Sequence, residues 1–558
     1  MASSCLRPFL VCSALFLFMH SSLAADVDLL IRNGTIYDGT GSPGRLGDLA
    51  ITNDRIASVA SGEPLRAKIE IDARGLAVAP GFINMLSWAN ESLIADGRSQ
   101  SDIRQGVTLE IMGEGESAGP LNETMRKDFE AQQADIRFPV TWHTLDEYLR
   151  YLVDRGISPN VASFVGATTL RIHEIGYTDR APTAAELARM CDLAREAMEQ
   201  GALGVSSALI YAPGFYARTD ELIALAKVAA RYNGMYISHM RSESSRLIEA
   251  TDELITIATE AGIRAEIYHL KAAGHENWHK LDPLLQRIEK ARAGGLEITA
   301  DMYTYTAAST GLDAAMPPWV QEGGYNRWAE RLRDPQIRAR VKREMSMTAT
   351  NWENLYYLAG SPDKVLLVGF KNPKLKPFTG KTLAEVAKIR NRSPEDTAMD
   401  LVIEDGSRVT VVYHLMSEEN VRTQMKKPWM SFGSDAGSLA PEGVFLKAST
   451  HPRAYGNFAR LLGKYVRDEK VIPLPEAIRR LTTLPASNLR LKNRGALRPG
   501  YFADVVVFDP ARIQDYATFA NPQQYSTGVA HVFVNGAQVL RDGVHTGAKP
   551  GRVVRRDK

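Results

Sequence analysis

Between residues 183 and 300 the chain repeats one unit four times: a helix-length amphipathic stretch, a glycine, then a short apolar run. Thr183 with Glu186 forms a capping box ahead of a face made by Leu187, Met190, Cys191, Ala194 and Met198, and Gly201 stops that helix before the run Leu203 to Ser206. Later rounds pair Asp220 to Tyr232 with Met235 to Ser238, Leu247 to Glu260 with Arg264 to Tyr268, and Pro283 to Ala293 with Glu297 to Ala300. A strand that feeds a helix has no tight turn back to an antiparallel neighbour, so the pattern requires parallel strands covered by helices. Repeated units of this kind predict a closed TIM-type (β/α)8 barrel, and no dinucleotide-type glycine-rich turn supports a doubly wound sheet instead.

The flanks read differently. From Val27 to about Ala79, and again in Gly500 to Asp509 and His531 to Gly536, the text is short, alternating and glycine-punctuated. The expectation is a small β-sandwich domain assembled from both ends, residues 25–80 and 486–558, around a barrel at 81–485. Residues 311–392 break the barrel rhythm and are rich in Trp, Tyr and Pro, which predicts an inserted subdomain or lid over the barrel mouth.

At the start, Arg7 precedes the apolar stretch Phe9 to Met19, and Ser22-Leu23-Ala24 offers the small residues a signal peptidase needs. The run is shorter than the roughly 20 residues that span a bilayer. Residues 1–24 therefore read as a cleaved signal peptide, with a secreted or periplasmic mature chain not held in a membrane. Cys5 and Cys12 leave with it, and Cys191 alone cannot form an intramolecular disulfide. A net charge of +2 across 558 residues, without a Lys/Arg run interleaved with aromatics, argues against nucleic acid as a partner. The short basic tail Arg552 to Lys558 reads as solvated.

In a barrel, chemistry sits where strands finish. Polar residues at the ends of apolar runs are Glu110 and Glu114, His239, His269 with Lys271, Asp301 with Tyr303 and Tyr305, His414, and Asp435. Two histidines after consecutive strands, with a carboxylate earlier and an aspartate later, match a catalytic zinc site of two His and one Glu. Such a metal acidifies water, and an aspartate at the last strand end can carry the proton to a leaving nitrogen.

These residues, with Val78-Ala79-Pro80-Gly81-Phe82-Ile83, Ser238-His239-Met240-Arg241, Tyr268-His269-Leu270-Lys271, Ala300-Asp301-Met302-Tyr303-Thr304-Tyr305, Gly433-Ser434-Asp435 and His451-Pro452-Arg453-Ala454-Tyr455-Gly456, resemble the amidohydrolase superfamily, and within it the N-acyl-D-amino-acid deacylases. The resemblance covers nearly the whole mature chain. It implies His239 and His269 as metal ligands, Asp435 as catalytic acid/base, and Lys271, Tyr303, Ser309 and Arg453 as the grip on a substrate carboxylate. The partner it implies is thus a small molecule bearing a carboxylate.

The chain departs from the family pattern twice. Where a His-x-His pair belongs after the first barrel strand, it reads Asn84-Met85-Leu86-Ser87-Trp88; where a cysteine ligand belongs, it reads Gly113-Glu114-Gly115-Glu116. The expected ligand set is Glu114, His239 and His269 around one Zn2+, with Glu116 and Glu110 as substitutes for Glu114. His414 is expected either to contact the developing oxyanion or to be structural. The expected reaction is deacylation of N-acyl-D-amino acids. Dipeptide cleavage, cyclic-amide hydrolysis and a non-catalytic binding role remain as alternatives.

Overall fold

The computed structural model describes Met1, residues 26–60, Gly62 and residues 64–556; the leader segment, with Cys5 and Cys12, lies outside the described residues. Eight parallel strands close a barrel: β1 (Phe82–Asn84), β2 (Val107–Met112), β3 (Asn160–Ser163, continued by Val165–Gly166), β4 (Gly204–Ala208), β5 (Met235–His239), β6 (Arg264–Ile267), β7 (Ile298–Met302) and β8 (Met430–Phe432). Each pairs with its sequence neighbour, and β8 meets β1 where Met85 N–H donates to Phe432 O at 3.1 Å.

The helices between strands form for the reasons visible in the text. Ala184–Glu199 starts from the Thr183–Glu186 capping box and buries Met190, Ala194, Ala197 and Met198. Leu247–Ala261 ends at Gly262, whose left-handed φ of 61° carries the C-cap. Thr219–Arg231 and Leu281–Ala293 complete the layer over β4 to β7.

Both chain ends share one nine-stranded sheet, in which Val505–Phe508 pairs with Ala77–Pro80 and so joins the two termini. Its far edge curls back so that Arg55 bridges Phe502. Leu29, Ile31, Leu49, Val78, Val505 and Phe533 fill the space enclosed.

The segment between β7 and β8 spans residues 303–429, longer than the interruption expected at 311–392. It holds an antiparallel sheet of Ala308–Gly311, Thr410–Tyr413 and Val365–Gly369, with its own apolar core. Thr410–Tyr413 is therefore not a barrel strand, which corrects the expectation for His414. A short run of buried Val and Tyr reads the same in a parallel barrel and at the centre of an antiparallel sheet.

The basic tail is partly docked: Arg552 and Arg555 stay exposed, but Arg556 is buried. Val553 bridges Val161, and the Arg556 guanidinium donates to Ala202 O at 3.1 Å and Met198 O at 2.6 Å, satisfying carbonyls at the end of a barrel helix. Among the described residues no helix is long and apolar enough to cross a membrane.

Candidate metal centre

Glu114, His239 and His269 come from the loop after β2, the last residue of β5 and the residue two past β6, and their side chains meet at the barrel mouth. Glu114 reaches inward because Gly113 (φ 97°) and Gly115 (φ 67°) press its loop against Phe164 and Ala208, where a Cβ at either glycine would collide. Glu114 Oε1 lies 2.8 Å from His269 Nε2 and 3.3 Å from His239 Nδ1, and the two nitrogens are 3.0 Å apart. Ligand atoms bonded at 2.0–2.1 Å in tetrahedral geometry sit about 3.3 Å from one another. The triangle is thus close to three vertices of a zinc tetrahedron, slightly contracted.

The charges around the triangle also call for a cation. Burial alone would raise Glu114, yet the charge of His269 and the hydrogen bonds from both imidazoles outweigh it and hold the carboxyl well below its usual range. His269 is opposed by burial and by Lys271, but Glu114 and Glu243 flank its two ring nitrogens and it is pushed up to about 10. Two carboxylates compete for positive charge that a proton or a divalent ion can supply. The residues present therefore fit a metal.

Glu243 was not singled out in the sequence. It lies in the turn after β5, four residues past His239, with Oε1 3.1 Å from His269 Nδ1 and 2.7 Å from Lys271 Nζ, and Oε2 3.8 Å from His239 Nε2. Trp88 was noted there only as part of a departure from the family pattern, yet its indole N–H donates to Glu114 Oε2 at 2.9 Å. The only signals were an acidic residue close behind a ligand and an aromatic where a ligand was expected.

Asp435 follows β8 in a left-handed conformation, φ 50°, with its N–H bonded to Leu86 O at 2.9 Å; His269 has φ 34° and its N–H donates to Asp301 Oδ1 at 3.0 Å. Non-glycine residues occupy this region at a cost, and these two of the thirteen that do so among the described residues sit at the site. Burial pushes the Asp435 carboxyl up, although Arg453 Nη1, 2.8 Å from Oδ2, pulls the other way.

Glu114, His239, His269, Asp435, Lys271, Tyr303, Ser309 and Arg453 line one cavity of about 360 Å³. The Arg453 guanidinium stacks 4.5 Å above the Tyr303 ring, its Nη2 lies 3.4 Å from Ser309 O, and its Nε has no partner among the described residues. His451 Nδ1 accepts from Arg453 N–H at 3.0 Å while its Nε2 faces Ala307 O, which fixes the start of the helix Arg453–Arg460. The Ser309 hydroxyl is committed to Val411 O at 2.9 Å. Of the substitutes for Glu114, Glu110 is buried inside the barrel under Asn84 Nδ2 and Ser99 Oγ, and Glu116 lines the cavity outside the triangle. His414 does not line the cavity; its ring packs 4.5 Å from Phe519.

The model of the amidohydrolase family matches residues 70–540. The chain belongs to the amidohydrolase family. A D-aminoacylase from Alcaligenes xylosoxydans xylosoxydans is 32% identical over 546 residues, covering 96% of this amidohydrolase and 99% of its own length. An N-acyl-D-aspartate deacylase from the same organism is 32% identical, covering 95% of each chain. Among solved structures, a D-aminoacylase superposes with a TM-score of 0.79 at 31% identity, over 95% of this amidohydrolase and 100% of that chain. An N-acyl-D-glutamate deacylase from Bordetella bronchiseptica, solved with zinc and a phosphonate mimic of the tetrahedral intermediate, gives 0.77 at 30%, over the same shares. The amidohydrolase barrel with a terminal β domain is common to all of them.

Proposed function

We propose that this amidohydrolase removes the acyl group from N-acyl-D-amino acids with one zinc ion held by Glu114, His239 and His269. The observation that carries the reading is the triangle of those three ligand atoms, 2.8–3.3 Å apart, in the same cavity as Asp435 and Arg453. The D preference rests on the D-aminoacylase and the N-acyl-D-aspartate and N-acyl-D-glutamate deacylases to which the chain is 30–32% identical.

Zinc at such a set supplies polarisation of the amide carbonyl and acidification of water. Asp435 Oδ accepts the proton of the attacking water and returns it to the leaving nitrogen, a role its burial favours by raising its basicity. Arg453 Nε and Nη2 take the substrate carboxylate, with Lys271 adding charge from its post beside Glu243. Glu243 Oε1 accepts a hydrogen bond from His269 Nδ1–H and so leaves the Nε2 lone pair free for a metal ion.

A solved D-aminoacylase is described as having a binuclear centre, with one-metal activation and second-metal attenuation. A single ion is favoured here because the place after β1 where a His-x-His pair belongs reads Asn84-Met85-Leu86, and among the described residues one candidate ligand group forms, Glu114 with His239 and His269. The signal-like residues 1–24 support action outside the cytoplasm. Assay of paired N-acetyl-D- and N-acetyl-L-amino acids, with chelator and after zinc restoration, tests the whole reading. Zinc-dependent release of the D-amino acid is expected; turnover that survives thorough chelation, or none in the zinc-loaded protein, overturns it.

A further inference from the structure

Beside the metal ligands the cavity continues into a second one of about 490 Å³, with Trp88, Glu116 and Gly437 lining both. The first cavity holds the ligand triangle, and the carboxylate grip and the branch stand on different segments around it. Lys271 and Tyr303 follow β6 and β7, whereas the branch is built from the segments after β1 (Glu91, Ser92), β2 (Glu116, Asp128) and β3 (Tyr177). In a ring of eight, β2 and β3 face β6 and β7. With its carboxylate on Lys271 and Arg453 at the Tyr303 ring and its amide carbonyl at the triangle, a substrate has the branch open to its acyl half past Trp88, Glu116 and Gly437.

The charge of that branch is one-sided, set among apolar walls of Leu121, Met125, Ile136, Ile172 and Leu439. Glu91, Glu116 and Asp128 line it together with the Phe129 and Tyr177 rings, and no lysine, arginine or histidine among the described residues does. The fields of Glu116 and Asp128 both reach Tyr177, so these carboxylates share one locale. Glu116 also feels Arg408, but that guanidinium lines the first cavity and is held by Asp313 at 2.9 Å. Independently of the carboxylates, Ser92 lines the branch while only 4% exposed, and its Oγ has no hydrogen-bond partner. That oxygen lies 3.5 Å from where a Cβ on Gly437, at the junction of the two cavities, would sit. A buried hydroxyl left without a partner is costly unless a ligand satisfies it. Carboxylates, a hydroxyl and aromatic faces around one space are the groups that bind an ammonium.

We propose that this branch receives a cationic acyl group, making aminoacyl-D-amino acids with a protonated amine better substrates than their neutral N-acyl counterparts. The inference rests on the metal-site reading above. The reaction stays a hydrolysis: the acyl C–N bond breaks, the water hydroxyl joins the acyl carbon, its proton goes to the leaving nitrogen, and two amino acids are released.

The test uses the zinc-loaded full chain and two isosteric substrates, N-(β-alanyl)-D-alanine and N-butanoyl-D-alanine, which differ by an ammonium in place of a methyl group. The expected kcat/KM favours the β-alanyl substrate by about tenfold or more, the scale of one charge-assisted contact. The double variant Glu91→Gln/Asp128→Asn should lose that preference, the β-alanyl to butanoyl ratio of kcat/KM falling to about one, with its zinc content unchanged. Equal or faster hydrolysis of the butanoyl substrate by the unaltered protein, or a preference that survives in the double variant, overturns the proposal. Failure to hydrolyse either of these substrates or any N-acyl-D-amino acid overturns the metal-site reading and the proposal with it.

Discussion

Asp435 and Trp88 make separable contributions. Asp435 touches no ligand atom of the triangle, so Asp435→Asn should leave zinc bound while turnover falls about 10²- to 10⁴-fold, the scale of general acid–base catalysis; steady-state kinetics beside metal analysis checks both halves. Unchanged turnover would remove Asp435 from the chemistry. Trp88 acts through Glu114: Trp88→Phe keeps the ring but deletes the N–H that holds Oε2 at 2.9 Å. Zinc affinity should weaken about 10- to 100-fold, as when other outer contacts to a ligand are removed, and competition with a chromogenic chelator measures it. An unaltered affinity would show that Glu114 needs no such restraint. The two histidines and the final aspartate were legible in the sequence because each ends an apolar run. Glu243 and the restraining role of Trp88 were not, because they act from turns that carry no periodic signal.

Among the elements, the insertion reaches the turn after β5 through Glu353. Glu353 accepts hydrogen bonds from Ser242 Oγ and Ser244 Oγ, both 2.9 Å, and from Glu243 N–H at 3.2 Å, so it holds the turn that carries Glu243. Burial, and then the neighbouring charge of Glu243, pushes its carboxyl up from the ordinary 4.5 to about 7. Between those values the folded chain binds more protons than the unfolded chain, so this group makes stability fall as pH rises through the window. Glu353→Gln stays neutral throughout. Denaturant unfolding at pH 5 and pH 7.5 should therefore show a smaller loss for the variant than for the unaltered protein, whereas equal losses would contradict the assignment. Helices with caps, such as Ala184–Glu199 behind Thr183, were readable because capping and spacing agree. The strand before His414 misled because apolar content alone does not reveal whether its partners are parallel or antiparallel.

Across the whole molecule, the C-terminal segment braces the barrel from the face opposite the site. Arg556 is nearly buried and bonded to carbonyls from the ends of two barrel helices, those of Met198 and Tyr232. Arg556→Ala leaves those acceptors without their donor and should cost about 1–3 kcal/mol in equilibrium unfolding. A change near zero would mean that water replaces the guanidinium. The docking was not legible from composition, since a short basic tail is usually exposed and only the tertiary fold supplies the carbonyls it meets. The site lies at the other end of the strands, where eight separate segments converge and where three of them, after β2, β5 and β6, supply the ligand triangle. Anomalous diffraction at the zinc edge on crystals of the zinc-loaded protein examines that arrangement most directly. The account predicts one peak per chain, about 2.0–2.2 Å from Glu114 Oε1, His239 Nδ1 and His269 Nε2; two peaks at the barrel mouth, or none within reach of those atoms, would contradict it.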